Sequence, residues 1–289
     1  MRVSANSMLP ASSALPARDL SLARTPITAR WYVGGDRVAS VFLSALSATF
    51  PLGEKFFIDS VRRFRAELDA DLGATVDAFV VQEALHTREH LAFNKLVAAT
   101  GYETVKMTER TRAVLAPFRA MSPLRQLGLT MALEHLTAVF AHDVLTHEER
   151  VGAASAEIRA LWRWHALEEI EHKAVAFDVF LAVTRDWKRR HRYAFRIRAM
   201  LEATRVLLAV VAKNMGDLFA QDDPQRRLPW RRASRYFLGR GGVLTCMAPG
   251  YMRWYRPGFH PNQIDDSELA RRASLELPAA TARAARLGE

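Results

Sequence analysis

The chain has 289 residues and a formal net charge of +10, with 41 Lys and Arg against 31 Asp and Glu. Apolar residues make up 49% of it, and the one cysteine, Cys246, excludes a disulfide framework and a cysteine-rich metal site. The N-terminal stretch has no apolar run of the length that a signal peptide needs. The longest apolar run, 206–212, is far below the ~20 residues that span a bilayer. We therefore expect a cytoplasmic protein.

Residues 1–30 are rich in Ser, Ala and Pro and show no clear period, so we expect a disordered N-terminal tail. After the tail, apolar periodicity predicts four long helices and no convincing strand. They cover residues 36–71, with an interruption at Phe50-Pro51, then 74–99, 122–147 and 155–184. This pattern predicts an all-α fold, a ferritin-like four-helix bundle over residues 31–184.

The basic excess lies in one segment, because residues 185–240 hold 15 Lys and Arg against 5 Asp and Glu. We expect a basic helical extension over 185–262 that packs an apolar face on the bundle, followed by a C-terminal tail at 263–289. The alternative for 185–240 is peripheral contact with an anionic membrane. No recognised reading motif accompanies the charge, so we expect no specific nucleic-acid partner. The sequence leaves the oligomeric state open.

The fourth predicted helix carries a charged stripe within an apolar segment, WHALEEIEHKAVAFDVF. At about 100° per residue, His165, Glu169 and His172 share one face, and Glu168 lies at its edge. Unpaired carboxylates and imidazoles cost several kcal/mol to bury, so such a face needs a compensating partner.

The second predicted helix carries a matching face in FVVQEALHTREHLAFN, formed by Glu83, His86, His90 and Asn94. Both helices therefore contain Glu-x-x-His. The other two predicted helices each offer one Glu among apolar neighbours. These are Glu54 in FPLGEKFF and Glu134 in MALEHLTAVF.

Four inward carboxylates would repel one another unless cations lay between them. Two divalent metals supply that charge, and this order of ligands is that of ferritin-like di-iron and di-manganese bundles. The predicted ligands are Glu54, Glu83, His86, Glu134, His165, Glu169 and His172. We expect two Fe ions, with Mn or mixed Fe/Mn as alternatives, whereas the lack of thiolates argues against Zn. His165 is either a ligand or a hydrogen-bond partner of one, and the neighbours expected around the ligands are His90, Glu168, Thr137 and Asn94.

Several separated segments together resemble the family of predicted metal-dependent hydrolases. They are WYVGGDRVASVFLSALSATFPLGEKFF, QEALHTREHLAFN, WHALEEIEHKAVAFDVF and YRPGFHP, within residues 30–262. The resemblance implies metal binding more firmly than hydrolysis. The ligand spacing is also similar to that of the di-iron arylamine N-oxygenases, whose order ends in His-x-x-x-Glu-x-x-His, which here matches His165, Glu169 and His172. This second likeness covers only the spacing, so no amine substrate is implied.

Three kinds of function fit this pattern. The first is oxidation of a small organic, apolar substrate by O₂, with an electron donor and two irons. The second is hydrolysis, in which the metals activate a water molecule, and the third is a non-catalytic, ferritin-like metal-binding protein. A zinc variant of hydrolysis rests on His86-Thr87-Arg88-Glu89-His90, which matches H-x-x-E-H. This variant leaves the stripe of the fourth helix unexplained. It also makes Glu89 the general base, whereas we expect Glu89 to be solvated.

Overall fold

The computed structural model describes residues 15–222 and 229–287, and these residues form α-helices and loops without a β-strand. The all-α prediction is thereby confirmed, and a ferritin-like arrangement of the helices stays a prediction. The helices are α1 Arg37–Ser47, α2 Phe50–Arg62, α3 Ala70–Ala99, α4 Val105–Arg119, α5 Pro123–Thr146, α6 Ala156–His172, α7 Val175–Val183, α8 Arg189–Asp222, α9 Trp230–Leu238, α10 Val243–Arg253 and α11 Ser267–Leu287.

Four of these helices enclose the centre of the molecule. Helix α2 packs on α3 and α5 packs on α6, while α3 also contacts α6 and α2 also contacts α5. Around them, α8 lies against α1, α4 and α5, α10 lies against α5, and α11 lies against α6. Each predicted ligand is on α2, α3, α5 or α6, so this packing decides how closely the ligands approach one another.

The first two helices follow from capping and proline chemistry. The Asp36 side chain accepts hydrogen bonds from the backbone N–H groups of Val38 and Ala39, which fixes the start of α1. Pro51 lies in the first turn of α2, where its missing N–H costs no hydrogen bond. The chain therefore breaks just before the proline, and Glu54 enters the centre from a separate helix.

The single helix expected over 155–184 is two helices in the structure. Ser155 caps α6 through Ile158, and the helix ends at His172. Lys173 follows, and its ammonium donates to Asp266 and to the carbonyl of Ile264, in the segment before α11. The apolar period continues across this break, so periodicity cannot reveal where the helix ends.

Helix α4 lies where the sequence analysis placed no element. Its buried residues are Met107, Thr111, Leu115 and Phe118. Their spacing of four, four and three residues is that of one helix face, so the periodicity was present in the sequence.

The N-terminal segment, residues 15–30, lies along the helices, whereas we expected disorder over 1–30. Backbone N–H groups of Leu22, Arg24 and Thr25 donate to the carboxylates of Glu89 and Glu157. Disorder was expected from composition, but these contacts use main-chain donors, which composition does not reveal. Residues 1–14 lie outside the described part of the chain.

Two further segments differ from expectation. Residues 267–287 of the expected C-terminal tail form α11, with Ala273 and Leu277 buried.

Within the described residues, one segment, Arg37–Glu67, is long and apolar enough by composition to cross a membrane. It covers α1 and α2, and 78% of its most apolar window is buried inside the protein, so its apolar character is accounted for by the core.

Candidate metal centre

The seven predicted ligands converge on one buried centre between α2, α3, α5 and α6. None of them is more than 4% exposed. On the His172 side, Nε2 lies 3.3 Å from Glu83 Oε1, 3.6 Å from Glu134 Oε2 and 3.6 Å from Glu169 Oε2. The Glu-x-x-His pairs of α3 and α6 therefore face one another, as we predicted from their spacing. Metal ligation by these residues stays a prediction.

On the His86 side, Nδ1 lies 3.8 Å from Glu83 Oε1 and 3.7 Å from Glu169 Oε1. Potential ligand atoms fall into overlapping groups whose members lie within 4.8 Å of one another. One group is Glu54, Glu83 and His86, and another is Glu83, Glu169 and His172. Glu83 belongs to both, which is the arrangement expected of a carboxylate that bridges two metals.

Unpartnered polar atoms make this centre a candidate cation site. Across residues 15–222 and 229–287, twelve buried side-chain nitrogens and oxygens have no hydrogen-bond partner, and eight of them belong to predicted ligands. They are Glu54 Oε1, both oxygens of Glu83 and of Glu134, Glu169 Oε2, His86 Nδ1 and His172 Nε2. Buried polar groups without partners are costly and rare in folded proteins. The donor set of carboxylates and imidazoles therefore fits divalent metal ions.

Two of the imidazoles are oriented by neighbours that bind the ring nitrogen facing away from the centre. His86 Nε2 lies 3.1 Å from Glu168 Oε2, and His172 Nδ1 lies 3.2 Å from Gln82 Oε1. Each pair directs the other ring nitrogen at the carboxylates, so that in the neutral imidazole its lone pair faces the centre, as metal-binding histidines require.

A chain of hydrogen bonds behind His165 orients the third imidazole. His165 Nδ1 lies 2.8 Å from His90 Nε2, and His90 Nδ1 lies 2.8 Å from Ser47 Oγ. Ser47 donates to Asn94 Oδ1. Donation from His165 through His90 to Ser47 leaves the lone pair of His165 Nε2 facing Glu169, 3.1 Å away. This direction suits His165 as a ligand and places His90 and Asn94 behind it.

The acid–base state of the centre reflects burial and crowding. Burial, together with the neighbouring carboxylates, raises the pKa of Glu54 and of Glu83 well above the usual 4.5. Burial likewise raises the pKa of Glu134 to about 8. Bound cations relieve this repulsion, since they favour the deprotonated carboxylates.

The histidines shift in both directions. Burial lowers the pKa of His86 well below 6.5, and the nearby His165 lowers it further. Burial acts in the same direction on His172, but the charges of Glu134 and Glu169 outweigh it and raise its pKa to about 9. Without metal, the centre therefore holds protons on Glu134 and His172 near neutral pH.

Aromatic rings shield the centre from water. Phe50 stacks on His165 with ring centroids 4.8 Å apart, Phe79 contacts His172 at 4.9 Å, and Trp164 contacts His86 at 4.9 Å. Such surroundings lower the local dielectric and strengthen electrostatic interactions in the site.

Two predicted neighbours of the ligands have different roles. Glu168 is buried, bonds His86 and accepts from Arg18 at 3.2 Å, so it connects the N-terminal segment to a predicted ligand. The Thr137 hydroxyl donates to the backbone carbonyl of Glu134 in its own helix, although the residue lines an adjoining cavity. Thr137 therefore lines this cavity, and its hydroxyl bonds within its own helix.

The zinc-peptidase interpretation of His86-Thr87-Arg88-Glu89-His90 does not fit the structure. We expected Glu89 to be solvated, but it is buried. Its carboxylate accepts hydrogen bonds from the backbone N–H of Leu22 and from the side chains of Arg24 and Arg88. His90 has both ring nitrogens bonded, to Ser47 and His165. Glu89 holds the N-terminal segment and is not available as a base.

Four side chains that support the centre were not predicted from the sequence, namely Arg18, Ser47, Gln82 and Thr87. Gln82 adjoins Glu83 and is fully buried, and Thr87 donates to Glu54 Oε2 at 2.9 Å. Both residues lie on α3 next to predicted ligands, and a polar residue beside a predicted ligand indicates a candidate hydrogen-bond partner for the site. Arg18 and Ser47 come from other segments, so only the fold reveals them.

A family model described as "Predicted metal-dependent hydrolase" matches residues 16–265 of the chain. No curated protein matches the chain. No solved structure matches it either.

Proposed function

Because the chain belongs to the family of predicted metal-dependent hydrolases, we propose that it is an enzyme with a dinuclear metal centre. The centre is formed by Glu54, Glu83, His86, Glu134, Glu169 and His172, together with His165. The observation that carries the proposal is the convergence on one site of eight buried, unpartnered oxygen and nitrogen atoms, which belong to the first six of these residues.

The two halves of the centre would differ in their ligands. Glu54 and His86 belong to one half, Glu134 and His172 to the other, and Glu83 and Glu169 lie between them. The imidazole of His165 approaches on the His86 side, where its ring stacks on His86 with centroids 4.3 Å apart. Iron or manganese suits this set of oxygen and nitrogen ligands.

Hydrolysis is the first candidate reaction, and the family description supports it. When bound, the metals would supply a Lewis acid that polarises the substrate and lowers the pKa of water. The chain's own residues position the ligands through Glu168, Gln82 and Thr87 and keep bulk water out through Phe50, Phe79 and Trp164.

Oxidation by O₂ is a second candidate, and two observations favour it. The order Glu, Glu-x-x-His, Glu, Glu-x-x-His is that of di-iron carboxylate bundles. In addition, the cavity beside Glu54 is lined mainly by apolar side chains, including Phe57, Leu133 and Val210. An apolar site suits an apolar substrate better than a strongly hydrated one.

Metal analysis tests the proposed centre. Protein loaded with Fe²⁺ under anaerobic conditions and then desalted should contain about two metals per chain, as the two Glu-x-x-His pairs require. Glu109→Gln, which alters an exposed carboxylate, should keep the metal content. A folded wild-type chain that retains no metal would contradict the proposal.

Two assays on the loaded protein separate the reactions. Cleavage of p-nitrophenyl esters or phosphoesters without O₂ supports hydrolysis. Uptake of O₂ by the Fe²⁺ form, together with a change in visible absorption, supports oxidation. Loss of either activity in a metal-free control assigns it to the centre.

A further inference from the structure

An apolar cavity lies next to the proposed metal centre. It is bounded by α1, α2, α5, α8 and α10 and has a volume of ≈ 300 Å³. Its walls are almost entirely apolar and include Phe42, Leu136, Phe140, Val211 and Met247. A folded protein seldom keeps so large an apolar space without a use, because lost packing destabilises the core.

The cavity leads towards the metal centre. A smaller cavity of ≈ 70 Å³ shares four of its wall residues, namely Leu46, Phe50, Thr137 and Leu207, and is also lined by Glu54. Glu54 Oε1 is buried and has no partner in the described structure. Phe50 faces both cavities and stacks on His165. The two cavities therefore adjoin, and together they form what we call the apolar path, which ends at a predicted ligand.

The outer end of the path is open to solvent. Leu208 of α8 and Leu244 of α10 line the larger cavity and are 51% and 38% exposed. Exposed leucines at a cavity mouth form an apolar entrance. A ligand can thus enter between α8 and α10 without crossing the charged ligands.

We propose that this path binds an unbranched apolar chain whose reactive polar end lies beside Glu54. The inference rests on the proposed metal centre and names the substrate class for it, an amphiphile with an aliphatic tail. Since a cavity of about 150 Å³ holds benzene, twice that volume fits a tail of about ten carbon atoms. The polar end is the part that meets the metals.

A first experiment measures tail binding on metal-free protein. The probe is N-phenyl-1-naphthylamine, whose fluorescence rises in apolar sites, and the competitors are 1-alkanols of six to twelve carbons. Each added methylene should tighten competition about fourfold until the chain fills the cavity. Competition that is independent of chain length would overturn the proposal.

Two variants on one helix locate the binding. Ala248 of α10 lines the larger cavity at an exposed position, so Ala248→Trp should obstruct the cavity mouth and weaken binding of decanol at least tenfold. Thr245→Trp places the same side chain at an exposed position of α10 that lines neither cavity, and it should bind decanol as the wild type does. Equal weakening by both variants would contradict the assigned path.

A second experiment links the tail to the metals. Acetohydroxamate and octanohydroxamate are titrated into Co²⁺-loaded protein, and the visible absorption of Co²⁺ reports binding. Octanohydroxamate should bind more tightly than acetohydroxamate, and Ala248→Trp should remove that difference while leaving acetohydroxamate unchanged. Equal binding of the two in the wild type would refute the link.

The outcomes also separate the two proposals. If the chain takes up no Co²⁺ but binds alkanols with the expected dependence on length, the metal centre is wrong and the apolar path remains. If Co²⁺ binds and tail length has no effect in either assay, the centre remains and the path is wrong.

Discussion

Single side chains decide whether the centre can hold metal. Glu169 approaches His86, His165 and His172, so it joins the two halves of the site. We predict that Glu169→Gln lowers the metal content from about two ions per chain to one or fewer. The measurement is elemental analysis after anaerobic Fe²⁺ loading, with Glu109→Gln as the matched control. Full retention of metal by a folded Glu169→Gln protein would remove Glu169 from the ligand set.

A second substitution separates a role in metal binding from a role in packing. Burial and the charges of Glu134, Glu169 and Glu54 raise the pKa of Glu83, so its charged form is unfavourable without metal. We predict that Glu83→Gln stabilises the metal-free protein by about 1 to 2 kcal/mol near neutral pH. The same change should abolish the stabilisation that metal gives to the wild type. Urea unfolding with chelator and with Mn²⁺ measures both effects, and destabilisation in both conditions would indicate packing alone.

At the scale of elements, the N-terminal segment supports the centre through one contact chain. Arg18 pairs with Glu168, which in turn bonds His86 Nε2. We predict that Arg18→Gln weakens metal binding about 10-fold, the lower range for loss of an outer partner of a metal ligand. Competition with a fluorescent chelator measures the affinity. Arg65→Gln, which breaks an exposed pair with Asp77, serves as the control and should have no effect.

The helices also show what the sequence can and cannot predict. The Glu-x-x-His pairs follow from spacing alone, since residues three apart share a helix face. Glu54 and Glu134 were predicted because each is the acidic residue of an apolar segment. The break after His172 and the supporting roles of Arg18 and Ser47 could not be predicted, because they depend on contacts between segments distant in the sequence. Helix α4 was predictable and was missed.

At the scale of the whole molecule, the buried centre should make stability depend on pH. The folded-state pKa of Glu134 rises from 4.5 to about 8, and that of His172 rises from 6.5 to about 9. Between pH 6.5 and 8, both groups hold protons in the folded chain that the unfolded chain has released. The free energy of unfolding of the metal-free protein should therefore fall as pH rises through this window. The lowered pKa values of His86 and His90 affect the free energy of unfolding only below about pH 6.5.

Metal should reverse this dependence. Since the ligands must lose their protons to bind, metal competes better at higher pH, and the loaded protein should gain stability from pH 6.5 to 8. Thermal unfolding at several pH values, with chelator and with Mn²⁺, gives both slopes. Parallel slopes in the two conditions would argue against protons and metal sharing this centre.

The break between α6 and α7 makes a predicted ligand and a structural anchor adjacent residues. His172 faces the centre, and the next residue, Lys173, holds Asp266 and the carbonyl of Ile264. A shift of His172 towards a bound ion would change the position of Lys173 and the strain on that anchor. The approach to α11 can therefore report the state of a centre that it does not touch. Amide hydrogen exchange over residues 261–270 should slow when metal binds.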